Sequence, residues 1–338
     1  MAKSVWGFLW AIPAWAAMAC VAVAAAESPE LQPVLRSRAE IEAVLAQAPP
    51  APPASGLRPL EIVLVADEKD HGLNEHDYPL WQKRWKVLLG GKEGEDAEMQ
   101  VNLYGPPAPG DPKVLLAGTP KVKVTTAWQW PSREQLRGAD LIVMYCYRSG
   151  GGHWLWNEER PKDVEAFVSR GGGFVVIHAA TYMHVDMTLP EWKPLLELTG
   201  LAFGKGNRTR RGPMEIRLAA DHTICRGLPQ IIQWVDEPFW PAFGDQRAVE
   251  VLGTSAETVA KDSTESKPQP MYWTYCRGKG RVFGCVPGHF TWTFDDPYFR
   301  LLLLRGMAWA AGESPYRFDS LVLRGVSLRD ETGKKPSG

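Results

Sequence analysis

The stretch Gly171-Gly172-Gly173-Phe174-Val175-Val176-Ile177-His178-Ala179-Ala180-Thr181-Tyr182 decides the fold. A helix capped by glycine runs into an apolar strand, and the strand stops at a histidine. Phe174, Val176 and His178 point to one face of that strand while Val175, Ile177 and Ala179 point to the other, so both faces are apolar, as in the central strand of a parallel sheet. In open α/β sheets the ligand crevice lies beyond the carboxyl ends of such strands, which places His178 at the mouth of a site and Val175 deep beneath it. A histidine there is either a core side chain hydrogen-bonded to backbone or a functional group.

Upstream, Glu61 to Ala66 reads as a first strand. The polar loop Asp67 to Tyr78, which contains His71 and His76, leaves its carboxyl end, where sites are built. Pro79 opens a helix with Leu80, Trp81, Trp85, Leu88 and Leu89 on its apolar face. Met99 to Tyr104 reads as a second strand. Gly105 to Pro131 reads as an irregular insertion with a short strand near Val122 to Thr125, and Ala139 to Tyr147 is another buried strand. The glycine loop Ser149 to Trp154 lacks the Lys-Ser/Thr ending of a phosphate-binding loop and reads as a turn or lid.

Downstream, Trp192 to Leu198 predicts a short helix and Met214 to Leu218 a strand, and Ala248 to Leu252 predicts another. Met271 to Cys276 and Arg281 to Val286 flank Arg277-Gly278-Lys279-Gly280 as a hairpin, ending at Pro287-Gly288-His289. Pro297 to Ala311 is the clearest amphipathic helix, with Asp296 placed to cap it. Asp221-His222 is placed to cap a turn. Strand and helix alternate through most of the chain, which predicts a flavodoxin-like three-layer α/β sandwich on a mostly parallel central sheet.

Met1-Ala2-Lys3-Ser4 followed by an apolar run to Ala26 has the layout of a secretory signal, so the chain is expected to be exported to the periplasm or beyond. Readings as an uncleaved anchor, or as a lipoprotein acylated at Cys20, stay open. Residues 27–57 read as a short helix and a Pro/Ala-rich linker, 58–325 as the α/β domain, and 326–338 as a polar tail. Removing residues 1–26 takes one lysine and no acid from 38 basic and 39 acidic side chains, leaving a formal charge of −2 and no basic cluster. A nucleic-acid partner is not expected, nor a membrane span in the mature chain. A homo-oligomer is left open. Cys146, Cys225, Cys276 and Cys285 lack the spacing of a disulfide scaffold or a zinc knuckle, and bridged and free states both stay open.

The polar loops with His76, His178 and His289 should emerge at one sheet edge. Three converging imidazoles could hold zinc or another divalent metal, or could move protons. Asp236-Glu237 supplies carboxylates that could orient a histidine or act as a base. Trp128, Trp130, Trp154, Trp156, Trp192, Trp240 and Trp292, from a total of fifteen tryptophans, read as loop residues that could stack on sugar rings.

Gly171 to Ala180, Asp221-His222-Thr223-Ile224 with Gly227-Leu228-Pro229, Asp236-Glu237, Gly280-Arg281-Val282-Phe283 with Gly288-His289, and the helix ending Arg305-Gly306-Met307-Ala308-Trp309-Ala310-Ala311-Gly312 together resemble the ThuA-like (trehalose utilisation) family over roughly residues 58–313. The resemblance implies a class I glutamine amidotransferase-like fold and a link to sugar breakdown, including keto-glycosides. The sequence departs from amidotransferases where His178 and Ala179 replace the cysteine elbow, so cysteine-based amide hydrolysis is not expected. The expectation is acid/base or metal-assisted chemistry on a small carbohydrate. His178, His289 and Glu237 would be catalytic; His76, Tyr182, Asp236 and Trp292 would contact substrate; and His76, His178 and His289 would be metal ligands. The alternative is a non-catalytic carbohydrate-binding or scaffold protein on the same fold.

Overall fold

The computed structural model describes residues 31–50, 52–91, 101–104, 118–147, 156, 160–183, 189–219 and 221–329. The signal-like segment, the glycine loop 149–154 and Trp154 lie outside the described residues, as does the side chain of Trp192. The strands are β1 (Leu60–Ala66), β2 (Val122–Trp128), β3 (Leu141–Met144), β4 (Gly173–Ile177), β5 (Arg208–Thr209), β6 (Gly212–Leu218), β7 (Ile231–Asp236), β8 (Phe239–Trp240), β9 (Glu250–Thr258), β10 (Ser266–Arg277) and β11 (Gly280–Cys285). The helices are α1 (Arg38–Leu45), α2 (Tyr78–Gly90), α3 (Arg133–Gly138), α4 (Arg160–Ser169), α5 (Leu189–Thr199) and α6 (Pro297–Ala310).

The main sheet has nine strands in the order β2-β1-β3-β4-β11-β10-β9-β6-β7. The first five pair in parallel and repeat the flavodoxin-like order, with β11 in the fifth place. The remaining four pair antiparallel, so β9 and β7 run with the parallel set and only β10 and β6 run against it.

The period-two reading of β4 holds. Val175 and Ile177 pack with α2 and α6 in one core, while Phe174 and Val176 pack with α4 and α5 in the other. These are the three layers. Local signals set the helix starts: Ser37 and Glu40 form a capping box on α1, Asp77 accepts from Leu80 N–H at the start of α2, and Asp296 accepts from the amides of Tyr298 and Phe299 on α6. His222, rather than Asp221, caps its turn by accepting from Ile224 N–H.

Three expectations change. The described part of Met99 to Tyr104 is not a strand: the amides of Leu103 and Tyr104 donate to the buried Asp295 carboxylate instead of to a neighbouring strand. Helix α6 is buried nearly all round, because a short helical segment Pro315–Leu321 covers the face expected to meet water. The chain stays anchored past Gly325, with Val326 buried, Ser327 N–H donating to Asp295 O, and Arg329 N–H donating to Arg36 O. The four described cysteines are free, and the hairpin register sets Cys276 opposite Arg281 and Cys285 opposite Tyr272.

Candidate functional site

The site is assembled by loops at the carboxyl ends of β1, β4, β7 and β11. The loop after β1 is laced to the loop after β11. His76 N–H donates to His289 O at 2.9 Å, Thr291 N–H donates to Asn74 O at 2.8 Å, and Glu75 bridges Phe290. His76 takes φ = 44° and His178, directly after β4, takes φ = 49°. Each such left-handed residue without glycine's freedom costs roughly 1–2 kcal/mol, and the surrounding bonds hold it in place.

His289 is positioned from β7. The fully buried Asp236 carboxylate accepts from Gly288 N–H at 3.1 Å, from His289 N–H at 3.0 Å and from the Thr293 hydroxyl. Gly288 takes φ = 137°, and a Cβ there would crowd Ile177 at 3.1 Å and His178 at 3.3 Å, so the turn needs glycine. Tyr145 OH fixes the same turn by donating to Gly288 O at 2.6 Å.

The structure thus brings His76, His178, His289 and Glu237 together, with one ligand atom from each lying within 4.8 Å of all the others. His76 Nε2 is 2.9 Å from His178 Nε2 and 2.9 Å from His289 Nδ1. Glu237 Oε2 is 3.0 Å from His289 Nδ1 and 3.4 Å from His178 Nε2. His178 is fully buried, stacked on Phe239 at 4.6 Å, and so sits below the mouth rather than at it.

The outer nitrogens decide the tautomers. His178 Nδ1 is 2.7 Å from Val286 O, which can only accept, so Nδ1 carries the proton and Nε2 presents a lone pair. His76 Nδ1 is 2.8 Å from Asp70 Oδ1, with Tyr78 OH at 2.9 Å. Burial pushes Asp70 upward, but hydrogen bonds from His71 and His76 outweigh it and hold this carboxyl well below its usual range. Asp70 is therefore ionised and accepts from His76 Nδ1–H, leaving His76 Nε2 as a second lone pair aimed at the first. Burial, with His178 and His289 adding, also lowers His76 to about 3 against the pull of Asp70, so it is neutral at pH 7. Burial likewise raises Glu237, yet its contacts with His178 and His289 outweigh this and keep it ionised.

Two acceptor nitrogens and a carboxylate oxygen converge, and their protons are committed elsewhere. His289 Nδ1 lies within reach of both His76 Nε2 and Glu237 Oε2, and the buried His/Glu group could hold a metal. His289 Nε2 is buried without a hydrogen-bond partner, 3.4 Å from Glu75 Oε1. Arg211 spans the rim, 2.8 Å from Glu75 Oε1 and 3.6 Å from Glu237 Oε1.

Of the other expected site residues, Asp236 shapes the turn before His289 instead of facing an imidazole. Tyr182 donates to Gly204 O at 3.1 Å and packs edge-on to Phe239. Trp292 is turned inward, stacked on Phe290 at 4.1 Å with its indole N–H on Val235 O, and is not presented to the cluster. Trp156 and Trp240 are buried too, whereas Trp128 at the end of β2 is half-exposed. The sequence reading did not single out Asp70, His71, Glu75 or Arg211. The available signal was two acid-histidine pairs, Asp70-His71 and Glu75-His76, within one loop at the site edge.

Burial pushes the thiols of Cys146 and Cys285 well up, and that of Cys225 to about 12, which disfavours the nucleophilic thiolate at these three positions.

A profile of the ThuA family, described as trehalose utilisation, matches residues 112–310. No curated protein matches the chain. Its structure is similar to that of a ThuA-like protein from Bacteroides uniformis ATCC 8492, with 18% identity, a TM-score of 0.52, and coverage of 80% of this chain and 99% of that one. It is also similar to a ThuA-like protein from Parabacteroides merdae ATCC 43184, with 18% identity, a TM-score of 0.49, and coverage of 76% and 92%.

Proposed function

This chain belongs to the ThuA family, and from that premise we propose that it is an enzyme acting on a small carbohydrate, a glycoside or keto-sugar, by metal-assisted acid/base chemistry. His76 and His178 through Nε2, His289 through Nδ1 and Glu237 through Oε2 would hold a divalent ion such as zinc. The observation that carries this reading is the pair of Nε2 lone pairs facing each other at 2.9 Å, each tautomer fixed from behind by Asp70 or by Val286 O.

A divalent ion bound there supplies Lewis acidity, polarising a carbonyl or making a hydroxyl or water a better nucleophile. The chain's own groups do the rest. Asp70 and Val286 O aim the two imidazoles, Phe239 and Tyr182 exclude water from the His178 side, and Glu237 is the carboxylate in contact with His178 and His289. We place this chemistry outside the cytoplasm on the strength of residues 1–26. Cell fractionation tests that: recovery of the protein only in the cytoplasmic fraction would contradict it.

The primary experiment is elemental analysis of purified protein, followed by a turnover screen on oxidised and unoxidised disaccharides. About one equivalent of a divalent metal is expected. It should be removed by chelation and absent from His178→Ala, with turnover lost in step. A folded wild-type protein that neither carries nor takes up metal would overturn the metal reading. Metal without turnover on any sugar would favour a binding protein.

A further inference from the structure

We propose that His71 is a substrate-contacting residue, its Nε2 accepting a hydrogen bond from a hydroxyl of the ligand that sits on the histidine cluster. The inference rests on the metal reading above and extends it to a residue outside the ligand set.

Four imidazoles pack together in this site. The rings of His76, His178 and His289 are buried, while the His71 side chain is 33% exposed. The His71 ring lies edge-on to His76 with centroids 3.9 Å apart, and 5.5 Å from His289. It therefore forms the solvent side of the cluster. Its Nδ1 is 2.6 Å from Asp70 Oδ1, the same oxygen that receives His76 Nδ1–H. Both Nδ1 atoms thus point at one carboxylate oxygen, which leaves His71 Nε2 as an acceptor with no hydrogen-bond partner among the described residues. The ring is not a loose surface group: Lys69 Nζ donates to His71 O at 2.9 Å and also to the carbonyls of Gly72 and Glu75, tying down the whole loop.

An outward-facing acceptor beside a cation-binding cluster selects for two neighbouring oxygens on one small molecule. The first serves the cluster and the second, carrying hydrogen, serves His71. Vicinal diols and hydroxy-ketones have that pattern, which is the pattern of sugars; a simple anion lacks the donor.

The test uses cobalt(II)-loaded protein and two matched probes, acetate and glycolate, which differ by one hydroxyl, with binding read from the cobalt visible bands. In His71→Ala the cobalt stoichiometry and acetate affinity should stay within about twofold of wild type, while the preference for glycolate over acetate falls about tenfold, the worth of one hydrogen bond. An unchanged preference, or an equal loss of both probes, overturns the proposal. Loss of cobalt from His71→Ala overturns it differently, by making His71 a metal ligand. Failure of the wild type to take up cobalt removes the metal reading itself, and this inference with it.

Discussion

His76 shows how a single side chain can be committed twice. Its Nδ1 is spent on Asp70, so its Nε2 is available to the cluster only as an acceptor. Asp70→Asn keeps the shape but removes the charge that holds this tautomer. Metal affinity is expected to fall about 10–100-fold, as for other carboxylates behind a histidine ligand. Competition against a chromogenic chelator measures it, and an unchanged affinity would show that the tautomer is set by Tyr78 instead. Acid should act through the same residue. With a folded-state value near 3 against 6.5 ordinarily, His76 refuses a proton that the unfolded chain accepts. The stability of metal-stripped protein therefore rises with pH across that interval and is lost as pH falls through it. The lowered carboxyls of Asp70 and Glu237 add the same sign at more acid pH. Urea midpoints at about pH 7.5 and about pH 5 should differ in this order, and His76→Gln should flatten the slope. Equal midpoints in the unmodified protein would contradict the burial argument.

Strand β4 is held between α6 and the neighbouring strands by contacts that leave no room for a side chain at its first residue. A Cβ on Gly173 would lie 2.4 Å from Ala310 O, a backbone atom with little freedom to move. Gly173→Ala should therefore lift α6 from the sheet and cost at least the 1–3 kcal/mol or so typical of overpacking; thermal unfolding reads it, and an unchanged midpoint would mean that α6 can shift freely. The strand was legible in the sequence because burial on both faces imposes a continuous apolar run, and its histidine stood out as the polar residue that ended it. The convergence of His76, His178 and His289 was legible for a related reason, since topology sends parallel strand ends to one edge. What was not legible came from loops. Asp70, His71, Glu75 and Arg211 obey no period; the backbone lacing of residues 74–76 to 289–291 brings the first three to the cluster, and ion pairs with Glu75 and Glu237 bring Arg211. The direction of Trp292 was not legible either, because an aromatic between elements can face either way, and here a carbonyl of β7 accepts from its indole N–H. The alternating stretch ending at Tyr104 looked like a strand because sequence shows the apolar faces and hides where the amides go.

That last substitution of partner links distant parts of the chain. The turn Thr291–Asp295 faces the site at Thr293, whose hydroxyl donates to the Asp236 clamp, and faces away from it at Asp295. The fully buried Asp295 carboxylate gathers the amides of Leu103 and Tyr104 and pairs with Arg300 Nη2 at 3.2 Å, while its carbonyl takes Ser327 N–H. Residues 101–104, the start of α6 and the last anchored segment thus meet at one residue, the first two through its carboxylate and the last through its carbonyl. Burial pushes the Asp295 carboxyl up to about 7 against the pull of Arg300 and the two amides, and replacing it breaks this buried pair, a change that typically costs about 3–5 kcal/mol. Asp295→Asn should accordingly lower the denaturant midpoint strongly and leave metal stoichiometry intact, because the clamp on His289 is made by Asp236 and Thr293 instead. Thr293→Val should do the reverse, with a loss of about 1 kcal/mol for one hydrogen bond but weaker metal retention through a loosened His289. Measured side by side by chemical denaturation and metal titration, the two variants separate the staple from the site. If both properties moved together in both variants, the turn would be a single cooperative unit, and the independence of fold and cluster argued here would fail.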